Sequence, residues 1–219
     1  MPESRAVTFS SGPLTLEGIH HFPDASPLTH NPPPAIVVCH PHPQYGGDMH
    51  SNVVSAICET AVANGIAALR FNFRGVGASG GTFDHGSGEQ DDVRSALAYL
   101  RDSPEVDPER VALAGYSFGA VVGLRAAGGE DLRAFVAVSL PTMMPLTQAK
   151  LACPALFVSG DEDEYSDADD LTELVRGLGP RAELKLLPGL GHFWFGVERD
   201  LAAILAPFLK THASATANV

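Results

Sequence analysis

Positive charge is scarce in this sequence. Its 14 Lys and Arg residues face 26 Asp and Glu, giving a formal net charge of −12 and an isoelectric point near 5.0. A field of that sign repels phosphate backbones and anionic lipid headgroups, which argues against nucleic acid and membrane surfaces as partners. Long apolar runs are missing as well. Nothing approaches the ~18 residues needed to span a bilayer, and the stretch from Met1 to Thr8 has no apolar run of signal-peptide length. Cysteine is nearly absent: Cys39, Cys58 and Cys153 are an odd number without metal-ligand spacing. Cys39 ends an apolar run and Cys58 falls in a helical pattern, which predicts buried thiols in a reducing cytoplasm. Charged residues make up only 18% against 45% hydrophobic, so the composition is globular rather than disordered.

What is present is an alternation. Val7 to Ser10 and Leu14 to His20 read as a strand pair turned by Gly12-Pro13. After the stiff Asn31-Pro32-Pro33-Pro34 comes Ala35 to Cys39, a continuous apolar run of the buried-strand kind. A helix from Val53 to Ala63 stops at Asn64-Gly65. A strand from Ile66 to Phe71, a glycine-rich loop and a helix from Gln90 to Arg101 follow. The second half continues with strand Val111 to Ala114, helix Phe118 to Ala127, and strands Phe135 to Ser139 and Ala155 to Ser159. Helix Asp169 to Gly177, strand Glu183 to Leu187 and a last helix from about Val197 to Lys210 complete it. This order predicts one α/β domain spanning residues 1–219, a mostly parallel central sheet with helices on both faces. Residues 211–219 are expected to form a loose tail.

Two segments fit the pattern G-x-S-x-G. Gly115-Tyr116-Ser117-Phe118-Gly119 directly follows the apolar strand at 111–114 and directly precedes a helix-forming run. Strand, sharp turn and helix are what lift a serine hydroxyl clear of a sheet, and glycines flank it because a Cβ there would collide. Gly77-Ala78-Ser79-Gly80-Gly81 sits in a glycine-rich loop with no helix behind it, so Ser79 reads as an ordinary loop residue. Ser117 is the predicted nucleophile. The helix after it points backbone N–H groups and a favourable dipole at the serine, which makes the Phe118 amide a natural donor to a tetrahedral oxyanion.

A serine hydroxyl needs a base to take its proton. In the elbow pattern the base comes last in chain order, after the acid. His192 lies in Leu187-Pro188-Gly189-Leu190-Gly191-His192-Phe193-Trp194, between the last predicted strand and the last helix; His20, His21, His30 and His212 read as ordinary surface or core histidines. The acid is expected after the strand at 155–159, where Asp161-Glu162-Asp163-Glu164 follow Gly160. Asp163 is chosen because a Gly-x-x-Asp spacing turns the chain once and returns the carboxylate across the sheet edge; Asp161 is the alternative. Its task is to hold the imidazole tautomer and stabilise imidazolium.

With elbow, acid and base in this order, the chain resembles the α/β-hydrolase superfamily from Ala35 to the final helix. His40-Pro41-His42-Pro43-Gln44-Tyr45-Gly46-Gly47 and the run Arg70 to Gly81 look like a group of small bacterial α/β-hydrolases. The resemblance implies the same roles for Ser117, Asp163 and His192, and a second oxyanion donor from the loop after residue 39. Aligning His40 with the histidine of the usual His-Gly motif makes the His42 backbone amide that donor. The sequence departs from the motif at Pro41, which has no N–H, and Gln44 or Tyr45 stand as alternatives. His40, His42, Asp48 and His50 raise a metal-site reading, but no Asp-His pair follows at the spacing such sites use. No metal and no cofactor are expected.

Leu140 to Pro154, with prolines at 141, 145 and 154, is too short for a cap domain. The expectation is an open, lidless cleft lined by Tyr45, Pro141, Met143, Met144, Phe193 and Trp194. The expected substrate is a small-molecule ester or thioester, with a short acyl group. Amide or peptide hydrolysis, acyl transfer, and a non-catalytic binding protein on the same fold remain as alternatives.

Overall fold

The computed structural model describes residues 3–24, 32–144 and 151–214. His30, Asn31, Pro145 and the tail from 215 onward, all part of the expectations above, lie outside the described residues. The strands are β1 (Ser4–Ser11), β2 (Leu14–His21), β3 (Ala35–Cys39), β4 (Ala67–Phe71), β5 (Val111–Tyr116), β6 (Phe135–Val138), β7 (Ala155–Gly160) and β8 (Ala182–Leu187). The helices are α1 (Asn52–Ala63), α2 (Gly88–Arg101), α3 (Phe118–Ala126), α4 (Ala168–Leu178) and α5 (Glu198–His212). The strands form one sheet in the order β1-β2-β4-β3-β5-β6-β7-β8. β1 and β2 are antiparallel to their neighbours, and every pairing from β4 to β8 is parallel.

Strand periodicity divides the core between the two faces. In β3, Val37 and Cys39 pack with α2, α3 and α4, while Ile36 and Val38 pack with α1 and α5. β5 repeats this, sending Val111 and Leu113 to the first face and Ala112, Ala114 and Tyr116 to the second. Strands buried on both faces need apolar residues at every position, which is why these runs do not alternate. β8 lies at the sheet edge, half exposed, and carries Glu183 and Lys185.

Strand and helix ends differ from the sequence expectation by one to three residues. β1 begins at polar Ser4 because pairing through to His21 of β2, not hydrophobicity, fixes that end. A 3₁₀ turn at Pro43–Tyr45 carries the loop after β3 and was not anticipated. α5 runs through His212 and Ala213 is buried, so the ordered chain extends past residue 210. The sheet places the carboxyl ends of β5, β7 and β8 along one rim, where α/β folds gather their functional loops. β6 passes to β7 through residues 139–154, with no room for a cap. No helix among the described residues is long and apolar enough to cross a membrane.

Candidate active site

Ser117 sits at φ 54°, ψ −122°, between the end of β5 and the start of α3. A non-glycine residue in the left-handed half of the map is strained, and the surroundings must hold it there. Its amide donates to the Val138 carbonyl of β6 (2.9 Å), and its carbonyl accepts from Ala120 and Val121 as the helix begins. The flanking glycines allow the close approach. A Cβ on Gly115 would run into the Gly119 carbonyl, and one on Gly119 would lie 2.5 Å from the carbonyl oxygens of both Cys39 and His40. The elbow therefore rests directly on the loop that leaves β3.

Three side chains meet at this rim. The Ser117 hydroxyl lies 2.9 Å from His192 Nε2, and His192 Nδ1 lies 2.8 and 3.0 Å from the two carboxylate oxygens of Asp163. All three are buried. Asp163 also accepts from the Ser159 hydroxyl (3.2 Å) and the Tyr165 amide (3.0 Å). Burial by itself pushes this carboxyl up, but hydrogen bonds from His192, the Tyr165 amide and the Ser139 hydroxyl outweigh it and hold its pKa below the ordinary carboxylate value. Such an acid is ionised near neutrality, and with Nδ1–H donating to it, Nε2 is left free to accept a proton.

The acid and base loops are tied to each other. Asp161 donates its amide to the Leu187 carbonyl, Glu162 donates to the Leu190 carbonyl, and the Gly189 amide donates to Asp161 Oδ1 (2.7 Å). Asp161 thus braces the turn that carries His192, whereas Asp163 reaches the imidazole. Tyr116, next to Ser117, donates its hydroxyl to the His192 carbonyl (3.2 Å). Ser139, buried and itself at φ 46°, accepts from the indole of Trp194 (3.0 Å). None of Tyr116, Ser139 and Ser159 stood out in the sequence, because each contributes one hydroxyl to a partner at least four residues away and no spacing announces it.

The Phe118 amide opens α3, where the first-turn N–H groups have no intrahelical acceptor. In the loop after β3, the Gln44 amide donates to the His42 ring and the Tyr45 amide to the His42 carbonyl, both inside the 3₁₀ turn. His40 is a fixed structural pin. Its Nδ1–H donates to the Pro41 carbonyl (2.7 Å) and its Nε2 accepts from the Phe73 amide (3.0 Å). Burial lowers its pKa to about 4. Both ring nitrogens are thereby engaged within the protein, and Asp48 accepts from the His50 amide. Ser79, the serine of the second glycine-rich match, donates to the Asn72 carbonyl and accepts from the Glu17 amide within a buried turn.

The residues expected to line the cleft divide. Tyr45 and Phe193 are exposed beside His42 and His192, Met143 is exposed, Pro141 is buried, and Met144 packs toward the core. Trp194 is a correction: it is fully buried among α1 and α5 residues and lines no cleft. Phe193, Trp194 and Phe195 point alternately, so the middle ring faces the core while Phe193 and Phe195 stack outside at 13°. Phe195 and Tyr165, whose ring stands 4.8 Å from the imidazole, belong to the rim and were missed. A separate cavity of about 540 Å³ lies beside α1, lined by residues including His21, Ser55, Glu59 and Arg70, and contains none of the three meeting side chains.

The model of the X-Pro dipeptidyl-peptidase (S15) family matches residues 23–148. The chain belongs to the S15 family. The matched segment runs from β3 through the elbow to β6 and stops before Asp163 and His192. A lidless α/β serine hydrolase from Xanthomonas campestris superimposes with a TM-score of 0.87 at 33% identity, covering 98% of this chain and 97% of that one. An α/β serine hydrolase homologue from Coxiella burnetii gives 0.82 at 28% identity, with 94% and 97% coverage. An uncharacterized protein of Rickettsia prowazekii is 34% identical over 189 residues, 81% of this chain and 79% of that one. This S15 member is an α/β serine hydrolase without a lid.

Proposed function

We propose that the protein hydrolyses carboxylic esters or thioesters with short acyl groups through an acyl-enzyme on Ser117. The observation that carries this reading is the unbroken chain from the Ser117 hydroxyl through His192 to Asp163, at 2.9 and 2.8 Å. As the Ser117 oxygen bonds to the acyl carbon, its proton passes to His192 Nε2, and Asp163 stabilises the imidazolium that results. The carbonyl oxygen becomes an oxyanion facing the Phe118 amide and, as second donor, the His42 amide. Collapse breaks the bond to the alcohol or thiol, which leaves with the proton from His192. Water, deprotonated by the same imidazole, then attacks the acyl-enzyme, and the acid is released with Ser117 restored. An open cleft grips long chains poorly, which supports short acyl groups. The three buried, unpaired cysteines suit a reducing cytoplasm.

The second reading is peptide hydrolysis, favoured by the description of the family whose model matches. The same three residues serve either leaving group, and pocket shape decides between them.

Labelling with a fluorophosphonate probe tests the site. The wild type is expected to label, and Ser117→Ala and His192→Ala to lose labelling. Asp163→Asn is expected to lower kcat about 10⁴-fold by presenting the wrong tautomer. Unchanged labelling of Ser117→Ala would remove Ser117 as the nucleophile. Matched acetyl esters, thioesters and an X-Pro amide, assayed side by side, separate the two readings.

A further inference from the structure

The proton handed from His192 to the leaving group fixes where that group lies. Its oxygen or sulfur must come within hydrogen-bonding reach of Nε2, and whatever that atom carries extends over the residues bordering the imidazole. Those residues are unevenly arranged. On one face of the ring Tyr116 lies stacked at 5.7 Å and is itself buried, so nothing passes there. Toward solvent stand Tyr165, edge-on at 4.8 Å and 41% exposed, and Phe193, perpendicular at 5.4 Å and 57% exposed. Phe195, 76% exposed, lies nearly parallel to Phe193 with centroids 6.1 Å apart.

None of these three rings contributes to either buried core cluster. Aromatic residues are only 7% of the chain, yet three stand together in water beside the base. Exposed apolar surface gathered in this way marks a contact site. Its rings present faces and edges rather than an enclosed slot, so the surface favours a flat partner and sets no limit on its length. Aromatic rings prefer offset or edge-to-face contact with another ring over contact with a saturated one.

We propose that Tyr165, Phe193 and Phe195 form a leaving-group subsite for planar aromatic alcohols or thiols, so that the substrates are short-chain acyl esters or thioesters of aromatic alcohols or thiols. This rests on the acyl-enzyme reading above, because only a proton donated by His192 places the leaving group on this side.

Benzyl acetate and cyclohexylmethyl acetate provide the test, since they share an acyl group and differ mainly in the flatness of the leaving group. The full-length wild type is expected to favour benzyl acetate by roughly fivefold in kcat/KM. Phe193→Leu and Phe195→Leu are expected to bring that ratio toward one, chiefly by raising KM for the benzyl ester. Both side chains are exposed, and a thermal melt matching that of the wild type verifies that each variant is folded; Tyr165→Leu gives an independent third measurement. A wild-type ratio near one, or a ratio that the substitutions leave alone, overturns the subsite. A rate increase confined to concentrations above the micellar threshold of a long-chain ester, lost in the Phe variants, also overturns it, because the rings would then serve a lipid surface. Fluorophosphonate labelling keeps the two levels apart: a wild type that labels at Ser117 but shows no ratio defeats the subsite alone, whereas labelling that survives in Ser117→Ala defeats the acyl-enzyme reading.

Discussion

Around Ser117 the backbone is packed so closely that neither flanking glycine has room for a Cβ, while around Asp163 and His192 one such close contact, Gly160 against the Leu190 carbonyl, is joined by separate hydrogen bonds between loops. The first region lies at the end of β5, buried at every position; the second consists of the loops that follow β7 and the half-exposed edge strand β8. Exclusion of volume is unforgiving, because a displaced carbonyl has nowhere to go. Hydrogen bonds in a loop can be lost one at a time. The elbow should therefore fail as a unit, and the acid–base side, outside its close contact at Gly160, should fail in parts.

Gly119→Ala puts the sharpest strain on this contrast. Its Cβ would press on two backbone carbonyls at the root of the loop after β3. The expected cost is about 3 kcal/mol, read as a lowered urea midpoint or loss of folded protein. A variant as stable as the wild type would dismiss crowding as the reason for the glycine.

His40 tests the same region through pH. Its folded pKa of about 4 lies below the ordinary histidine value of 6.5, so the unfolded chain takes up the proton first. Its stabilising contribution is therefore complete above the unfolded value and is lost as pH falls from there toward 4. For this buried ring the loss amounts to about 3 kcal/mol. Urea unfolding of the wild type at pH 7 and pH 4.5 should show the decline, and His40→Asn should make it shallower, leaving the share of His20 and His21. An identical slope in the variant would relocate the effect to His20 and His21, whose pKa values burial also lowers to about 4.

Asp161→Ala carries the smallest expected effect. It removes one acceptor from the Gly189 amide at an exposed turn, which costs about 1 kcal/mol and changes kcat only a few-fold. If this variant were as inactive as Asp163→Asn, the two carboxylates would exchange roles and the loop side would prove as unforgiving as the elbow.

The same contrast explains what could be read from the chain before its structure. β3 and β5 were plain because strands buried on both faces admit no polar interruption. The elbow was plain because its requirements fall within five consecutive residues. The acid loop offered four carboxylates in a row, and only contacts across the sheet distinguish them: Asp161 turns to Gly189, Asp163 to His192. Trp194 was assigned to the cleft because it adjoins His192 and Phe193, yet its two neighbours stay exposed while its own ring, the largest of the three, went to the core. Ser139 was unreadable for another reason. Its left-handed backbone and its bond to the Trp194 indole arise from the close of β6 against residues 55 positions away.

The hydroxyl of Tyr116 has a mechanical consequence. Tyr116 is covalently joined to Ser117 and hydrogen-bonded to the backbone of His192, while Ser117 faces the ring of that same histidine. Ser117 and His192 therefore belong to one small closed loop of bonds, whose span does not depend on the length of the turn at 188–191. Any displacement of the edge strand β8 is therefore opposed at the His192 backbone by a bond to the residue beside Ser117.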